Sequence, residues 1–395
     1  MYKIMRTVSM RSYPRIAIIG AGPGGLTLAR ILHQAGVPAS VFEREEHALA
    51  RPQGGTLDLH AESGQLAMRR AGLYEEFLQI ARYEDQGSRL YDKDGTLIFA
   101  DDDADDSDRP EVDRTALRQT LLASLPVETI RWNHGLREVR PLDDGTYELV
   151  FESGTAGPFD LVVGADGSWS KVRPLVSSYR PQYSGITFIE FGIDDVDASH
   201  PDLAALVGRG KIGVEADGRG LIVQRNGNSH LRGYAIFRVP TEWAEKTFDF
   251  TSPAKARARL ATEFEGWAPR ILGLVEASND YIVSRPIYAL PVGHHWQNRI
   301  GITLLGDAAH VMSPFGGEGV NMAMLDAAEL GRQLLENDDW KNAVKAYETD
   351  MFERVVEPAE HAAEAVATEL SHLGAELSLQ HYKAHLEARL EDSAA

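Results

Sequence analysis

A chain of 395 residues that is 43% hydrophobic and 25% charged, with 36 glycines and 18 prolines, has the make-up of a folded protein with a sizeable core, which excludes collagen-like and largely disordered chains. Its 40 Lys and Arg stand against 59 Asp and Glu, and a net charge of −19 repels a phosphate backbone, so nucleic acid is not an expected partner. The lack of Cys removes disulfides, thiolate nucleophiles and cysteine-bound metal clusters, and fits a reducing compartment.

Before the first apolar run the chain carries Lys3, Arg6 and Arg11, but that run ends after four residues at Gly20, too short for the core of a secretory signal. No run approaches the ~18 apolar residues of a membrane span, so a cytoplasmic protein with no membrane association is expected. Residues 15–19 read as a strand that breaks at Gly20-Ala21-Gly22-Pro23-Gly24-Gly25. Leu28, Ile31, Leu32 and Ala35 then recur at helical spacing up to Gly36, and residues 39–42 form a second strand ending in Glu43. Together these make a βαβ unit with a right-handed crossover.

Residues 84–113 hold 12 acids and 3 bases and read as a solvated loop. Residues 161–163 and 302–305 read as buried strands that run into Gly164-Ala165-Asp166-Gly167 and Gly306-Asp307, so three strand ends bring glycine and acid to one sheet edge. Between them, residues 186–193, 221–224 and 231–239 read as antiparallel strands with turns at Asp217-Gly218 and Asn226-Gly227-Asn228. Beyond Asp326 the pattern is helical, with Pro358 in the first turn of a helix and Ala362, Val366, Leu370 and Leu373 at steps of three and four.

Gly20, Gly22 and Gly25 satisfy G-x-G-x-x-G. The first permits a tight turn, the second lets backbone approach a diphosphate, and the third lets helix and strand pack closely, while the helix N-terminus offers free N–H groups. Glu43 follows Gly25 by 18 residues, near the spacing at which an acid binds a ribose hydroxyl. The stretch 306–321 begins at a strand end with Asp307, an acid able to bind a polyol. It turns at Pro314 and exposes backbone N–H groups at Gly316, Gly317 and Gly319 before a helix containing Asn321, a nest for an electron-rich group. Three weaker patterns fail. Asp101, Asp103 and Asp105 begin like a calcium loop, but Asp106 and Val112 stand where glycine and glutamate are needed. Ala205 and Ile212 spoil a phosphate loop at Gly210-Lys211, and His381 with His385 lacks a third ligand, so no metal is expected.

On these motifs the sequence resembles the FAD-dependent aromatic hydroxylases, the class A flavin monooxygenases, and within them the tetracycline-inactivating enzymes. The resemblance covers nearly the whole chain. It includes Gly54-Gly55-Thr56-Leu57-Asp58-Leu59-His60, Ser63-Gly64-Gln65, Ala71-Gly72-Leu73, the helix start at Arg114, and the blocks 160–173 and 306–321. It implies that Glu43 and Arg44 bind the adenosine side of FAD, that Arg51, Asp58 and Arg114 touch the cofactor, and that Arg51 also meets NADPH. Asp307 would hold the ribityl chain, and Asp166, supported by Arg173, would serve FAD and NADPH. Gly317, Gly319 and Asn321 would sit by the isoalloxazine. Where the tetracycline-inactivating members contact the drug with a Gln, an Arg and a His, this chain has Glu190, Lys211 and Arg232, with Pro314, Phe315 and Gly316 also on the substrate side. A carboxylate at 190 repels an enolate unless a neighbouring base pairs with it, which makes tetracycline at best a slow substrate.

The expected fold is α/β: a Rossmann-like FAD-binding lobe in three pieces (1–80, 101–182 and 285–338), an inserted antiparallel-sheet substrate lobe (81–100 and 183–284) and a C-terminal helical segment bridging them (339–395). The implied activity is an FAD-, NADPH- and oxygen-dependent hydroxylation, through a flavin hydroperoxide, of an electron-rich carbon in a phenolic or polycyclic small molecule, with a tetracycline-like antibiotic and a role in antibiotic resistance among the expectations. A flavin-dependent reductase or halogenase, or a flavin-bound drug-sequestering protein, are the alternatives on the same scaffold.

Overall fold

The computed structural model describes residues 13–50, 54–102 and 109–368, together with residues 370, 376, 379, 380 and 383. Arg51, Asp103, Asp105, His381 and His385 lie outside them. The opening unit forms as its pattern predicts. Strand Ile16–Ile19 is buried throughout, Pro23 begins helix Pro23–Gln34, and Ala39–Phe42 lies parallel to the first strand. The helix buries Leu26, Leu28, Ile31 and Leu32 against the sheet. An all-parallel five-stranded sheet grows around this unit in the order Ile302–Leu304, Leu161–Gly164, Ile16–Ile19, Ala39–Phe42, Ile130–Arg131. Parallel strands end on the same edge, so Gly20, Glu43, Ala165 and Gly306 gather there, where open parallel sheets bind ligands.

A second sheet of seven strands runs Ile282–Ala289, Gln182–Ile193, His230–Arg238, Arg219–Asn226, Gly210–Ala216, Gly87–Tyr91, Leu97–Asp101. Its pairs are antiparallel except Gly210–Ala216 with Gly87–Tyr91. Side chains alternate across a strand. One face therefore buries Ile189, Phe191, Leu231, Ala235 and Phe237 with Leu260, Ile271 and Leu274 of helices Pro253–Glu263 and Pro269–Glu276. The opposite face carries Phe188, Glu190, Arg232, Tyr234, Gln224 and Lys211 and looks toward the parallel-sheet lobe.

The acidic run corrects its sequence reading. Leu97–Asp101 is an edge strand of this sheet with Gly87–Tyr91 beside it, and Glu111–Asp113 pairs with Thr56–Asp58 in a two-stranded ribbon. Charges along an edge discourage pairing with another chain, and Arg89 offsets part of the acid through Asp102.

Helix Trp340–Arg354 is tied to the parallel-sheet lobe by buried Glu348, which accepts from Trp296 Nε1 (3.0 Å), Asn298 Nδ2 (2.8 Å) and Thr303 Oγ1 (2.9 Å). Helix Val356–Thr368 then brings Val366 against Ile186, Phe188 and Ile236 of the second sheet. No helix among the described residues is long and apolar enough to cross a membrane.

Candidate functional site

The glycine turn behaves as its spacing requires. A Cβ on Gly20 would lie 2.3 Å from the Ala165 carbonyl oxygen, and one on Gly25 2.2 Å from that of Gly20, so side chains at either place would push apart strand, turn and helix. Gly22 differs, because nothing lies within 4 Å of where its side chain would begin, and it caps the helix without a side-chain bond. Gly22 thus leaves open space at the N-terminus of Pro23–Gln34, whose free N–H groups suit a diphosphate. Glu43 is buried at the end of its strand and accepts from Ala21 N (2.7 Å) and Glu45 N (3.0 Å), which braces the turn and leaves carboxylate lone pairs for a hydroxyl. Arg44 is exposed beside it. Sequence reasoning missed Arg118, buried on helix Arg114–Ala123, which donates to Ala21 O (3.0 Å) and Ala48 O (2.9 Å) and pairs with Glu45.

On the neighbouring strand end, Asp166 Oδ2 accepts from Lys171 N at 2.7 Å, while its buried Oδ1 has no partner among the described residues. Burial pushes this carboxyl up, against hydrogen bonds from Ser170 and Lys171. A buried acceptor in want of a donor fits a sugar or polyol hydroxyl. Buried Arg173 ties this block to the next turn through Ala308 O (2.7 Å) and Asp307 O (2.9 Å). Asp307 itself is exposed, with Ser168 Oγ 3.3 Å from its Oδ2. Beneath it, fully buried Asp326 accepts from Gly306 N (2.9 Å), His310 Nε2 (2.6 Å) and Arg354 Nη2 (2.8 Å), so the turn that aims Asp307 is fixed from below.

The glycines after Pro314–Gly316 close the recess. Gly317 has φ +70°, and its missing Cβ would lie 3.3 Å from Asp58 Oδ1, while that of Gly319 would lie 3.9 Å from Asp307 Oδ1. Asp58, Asp307, Gly317 and Gly319 therefore come together. Burial raises the Asp58 carboxyl, but the hydrogen bond and charge of His60, with Lys211, outweigh it and hold the group below its ordinary value. Asn321 plays a different part: its amide donates to Asp58 O (2.9 Å) and accepts from His60 N (3.0 Å), bolting segment 54–60 to helix Glu318–Glu336. Arg114 lies over Gly54, 3.7 Å from where its Cβ would be, and Gly55 lets Tyr234 OH and Arg232 approach.

Across the recess stands the polar face of the seven-stranded sheet. Phe315 meets Phe188 edge-on at 5.5 Å, and Lys211 lies exposed opposite Gln224. At Glu190 the structure takes the paired alternative that the sequence left open. Its buried carboxylate accepts from Arg232 Nη1 (3.1 Å) and Arg285 Nε (2.8 Å), with Tyr281 OH at 3.4 Å, so two guanidinium groups neutralise it. Sequence reasoning also missed Glu111, buried on the ribbon and accepting from Thr56 Oγ1 (2.8 Å) and Gln224 Nε2 (3.1 Å). Its only signal was an acid just before the helix start at Arg114.

A glycine turn at a helix N-terminus, buried Glu43, the unpartnered Asp166 oxygen and exposed Asp307 lie along one sheet edge, an arrangement that fits a flavin dinucleotide. The family model described as an FAD binding domain matches residues 14–350. The chain belongs to this FAD-binding family. A monooxygenase, penA, of Penicillium thymicola is 34% identical over 367 residues, 81% of this chain and 84% of that one. The 6-hydroxynicotinate 3-monooxygenase of Bordetella bronchiseptica is 28% identical over 355 residues, 87% of this chain and 89% of that one. The chain is thus an FAD-dependent monooxygenase of the aromatic hydroxylase type. The crystal structure of tetracycline destructase Tet(51) shares the fold with a TM-score of 0.70 at 21% identity, covering 93% of this chain and 94% of that one.

Proposed function

We propose that this monooxygenase uses NADPH and molecular oxygen to hydroxylate an electron-rich carbon of a phenolic or enolic small molecule, aromatic or polycyclic, held between the seven-stranded sheet and the Asp58–Gly317 wall. The observation that carries the reading is Arg232. It stands over the Tyr281 ring at 4.8 Å, and its buried Nε has no acceptor among the described residues, a donor suited to an anionic substrate oxygen. Lys211 adds a second cation on the same face, and Phe188 with Phe315 supplies an apolar wall for a flat ring. Ionising a ring hydroxyl moves electron density onto the carbons beside and opposite it, which is the activation such chemistry needs. The similarity to a 6-hydroxynicotinate 3-monooxygenase supports a hydroxylated aromatic ring as substrate.

Bound FAD supplies hydride acceptance and oxygen activation. The residues of the chain bind, orient and exclude water around it. Gly22 and the helix N-terminus would hold the diphosphate, Glu43 the ribose, Asp166 and Asp307 the sugar and polyol hydroxyls, and the Gly317 and Gly319 backbone the ring. With Glu190 neutralised, the repulsion expected of a free acid is lifted. Lys211 and Arg232 then present a charge of the same sign as the Arg and His of the tetracycline-inactivating enzymes, so tetracycline belongs in the substrate panel. The site of action is the cytoplasm.

The test is NADPH consumption by FAD-loaded protein with phenols, hydroxypyridines, hydroxyquinolones and tetracycline, read beside product mass. Consumption stimulated by a panel member that gains one oxygen is expected. No stimulation by any member, or stimulation with every compound recovered unchanged, would overturn the reading.

A further inference from the structure

Glu111 sits where the two lobes meet. In the ribbon ladder it lies directly opposite Asp58, an arrangement that disfavours two anions. The surroundings separate them in acidity. Asp58 is held below its ordinary value by His60 and Lys211, which together outweigh burial. Burial and then the charge of Asp58 push Glu111 up to about 7, with Lys211, Thr56 and Arg82 offsetting only part of the rise. Neighbouring carboxyls whose acidities are driven apart leave one fixed anion and one group able to carry a proton near neutrality.

The geometry aims that group at the substrate face. Its hydrogen-bond partner Gln224 is flanked in the sheet by Lys211 on one strand and Arg232 on the other. The charged groups around Glu111 are Asp58 across the ribbon, Lys211 from the sheet, and Arg82, which is itself paired with Asp85 and Asp113.

We propose that Glu111 is the proton acceptor for the substrate hydroxyl, a catalytic residue beyond those that hold the cofactor. The substrate O–H bond breaks with its electron pair left on oxygen, the proton goes to the Glu111 carboxylate, and Lys211 and Arg232 stabilise the anion formed. The proton returns to water when product leaves. This rests on the hydroxylation reading above, but its test does not need turnover.

The probe is 4-nitrophenol, whose anion dominates above neutrality, titrated into the FAD-loaded protein by calorimetry in two buffers of different ionisation heat. At about pH 8 both free probe and free Glu111 are anions, and bringing them together raises their shared proton affinity, so wild type takes up close to about one proton per ligand bound. Glu111→Gln binds with almost none. Gln224→Leu keeps the carboxyl but removes a donor to its anion, so the pH midpoint of uptake moves upward, which a purely structural role does not cause. Uptake without those two changes, binding without uptake, or no binding of 4-nitrophenol overturns the proposal. The hydroxylation reading fails separately, by want of a one-oxygen mass gain in the substrate panel.

Discussion

The edge of the parallel sheet and the open face of the seven-stranded sheet form the two walls of one site by different means. At the parallel edge, function requires residue types that a strand end or turn also requires: glycine where Cβ has no room, and acids where chain geometry points them outward. On the second sheet the same backbone is served by many side chains, and chemistry arises from which residues register places side by side. Glu190 and Arg232 belong to neighbouring strands, with Glu190 opposite Tyr234 and Arg232 opposite Gly192, and their pairing is a diagonal one. The first wall is therefore rigid in its sequence demands, and the second is tunable.

The comparison breaks most readily at Gly25. Gly25→Val should abolish flavin binding and leave little folded protein, because its side chain would begin 2.2 Å from the Gly20 carbonyl oxygen; absorbance and thermal melting check this. Asp326→Ala strands buried His310 and partly buried Arg354 and should lower stability by about 3–5 kcal/mol in a denaturant titration. For Glu111 the sign follows from its rise from 4.5 to about 7. Between those values the native carboxyl binds a proton more readily than the unfolded one, so its contribution to stability falls as pH rises through the window. Wild type should lose roughly 3 kcal/mol relative to Glu111→Gln across that range. Asp307→Ala should weaken FAD retention by roughly 1.5–3 kcal/mol with an unchanged apoprotein melting temperature, since the carboxylate is exposed without the cofactor. Glu190→Gln should be milder, about 1–2 kcal/mol of stability with flavin affinity intact, because Arg285 is half exposed and finds water.

Much of the first wall was legible in the chain. The glycine turn, Glu43 and the Gly306-Asp307 turn combine apolar runs with residues whose backbone roles are narrow, so pattern and position coincide. The second wall was legible as strands and turns but not as chemistry. Gly210–Ala216 was hidden because its short alternation begins inside a glycine-rich stretch weighed as a phosphate loop. The hairpin Gly87–Tyr91 and Leu97–Asp101 was hidden by its acids, since edge strands carry charge for reasons unrelated to their backbone pairing. Glu111 was unreadable for a further reason: its Gln224 partner comes from the other lobe, 113 residues away in the chain.

The most direct test of the account is a reaction under isotopically heavy oxygen gas with FAD, NADPH and the phenolic panel, followed by mass spectrometry. The account predicts a product carrying one heavy oxygen atom, formed only when NADPH is present. A product whose new oxygen comes from water, or one formed equally without NADPH, would contradict it.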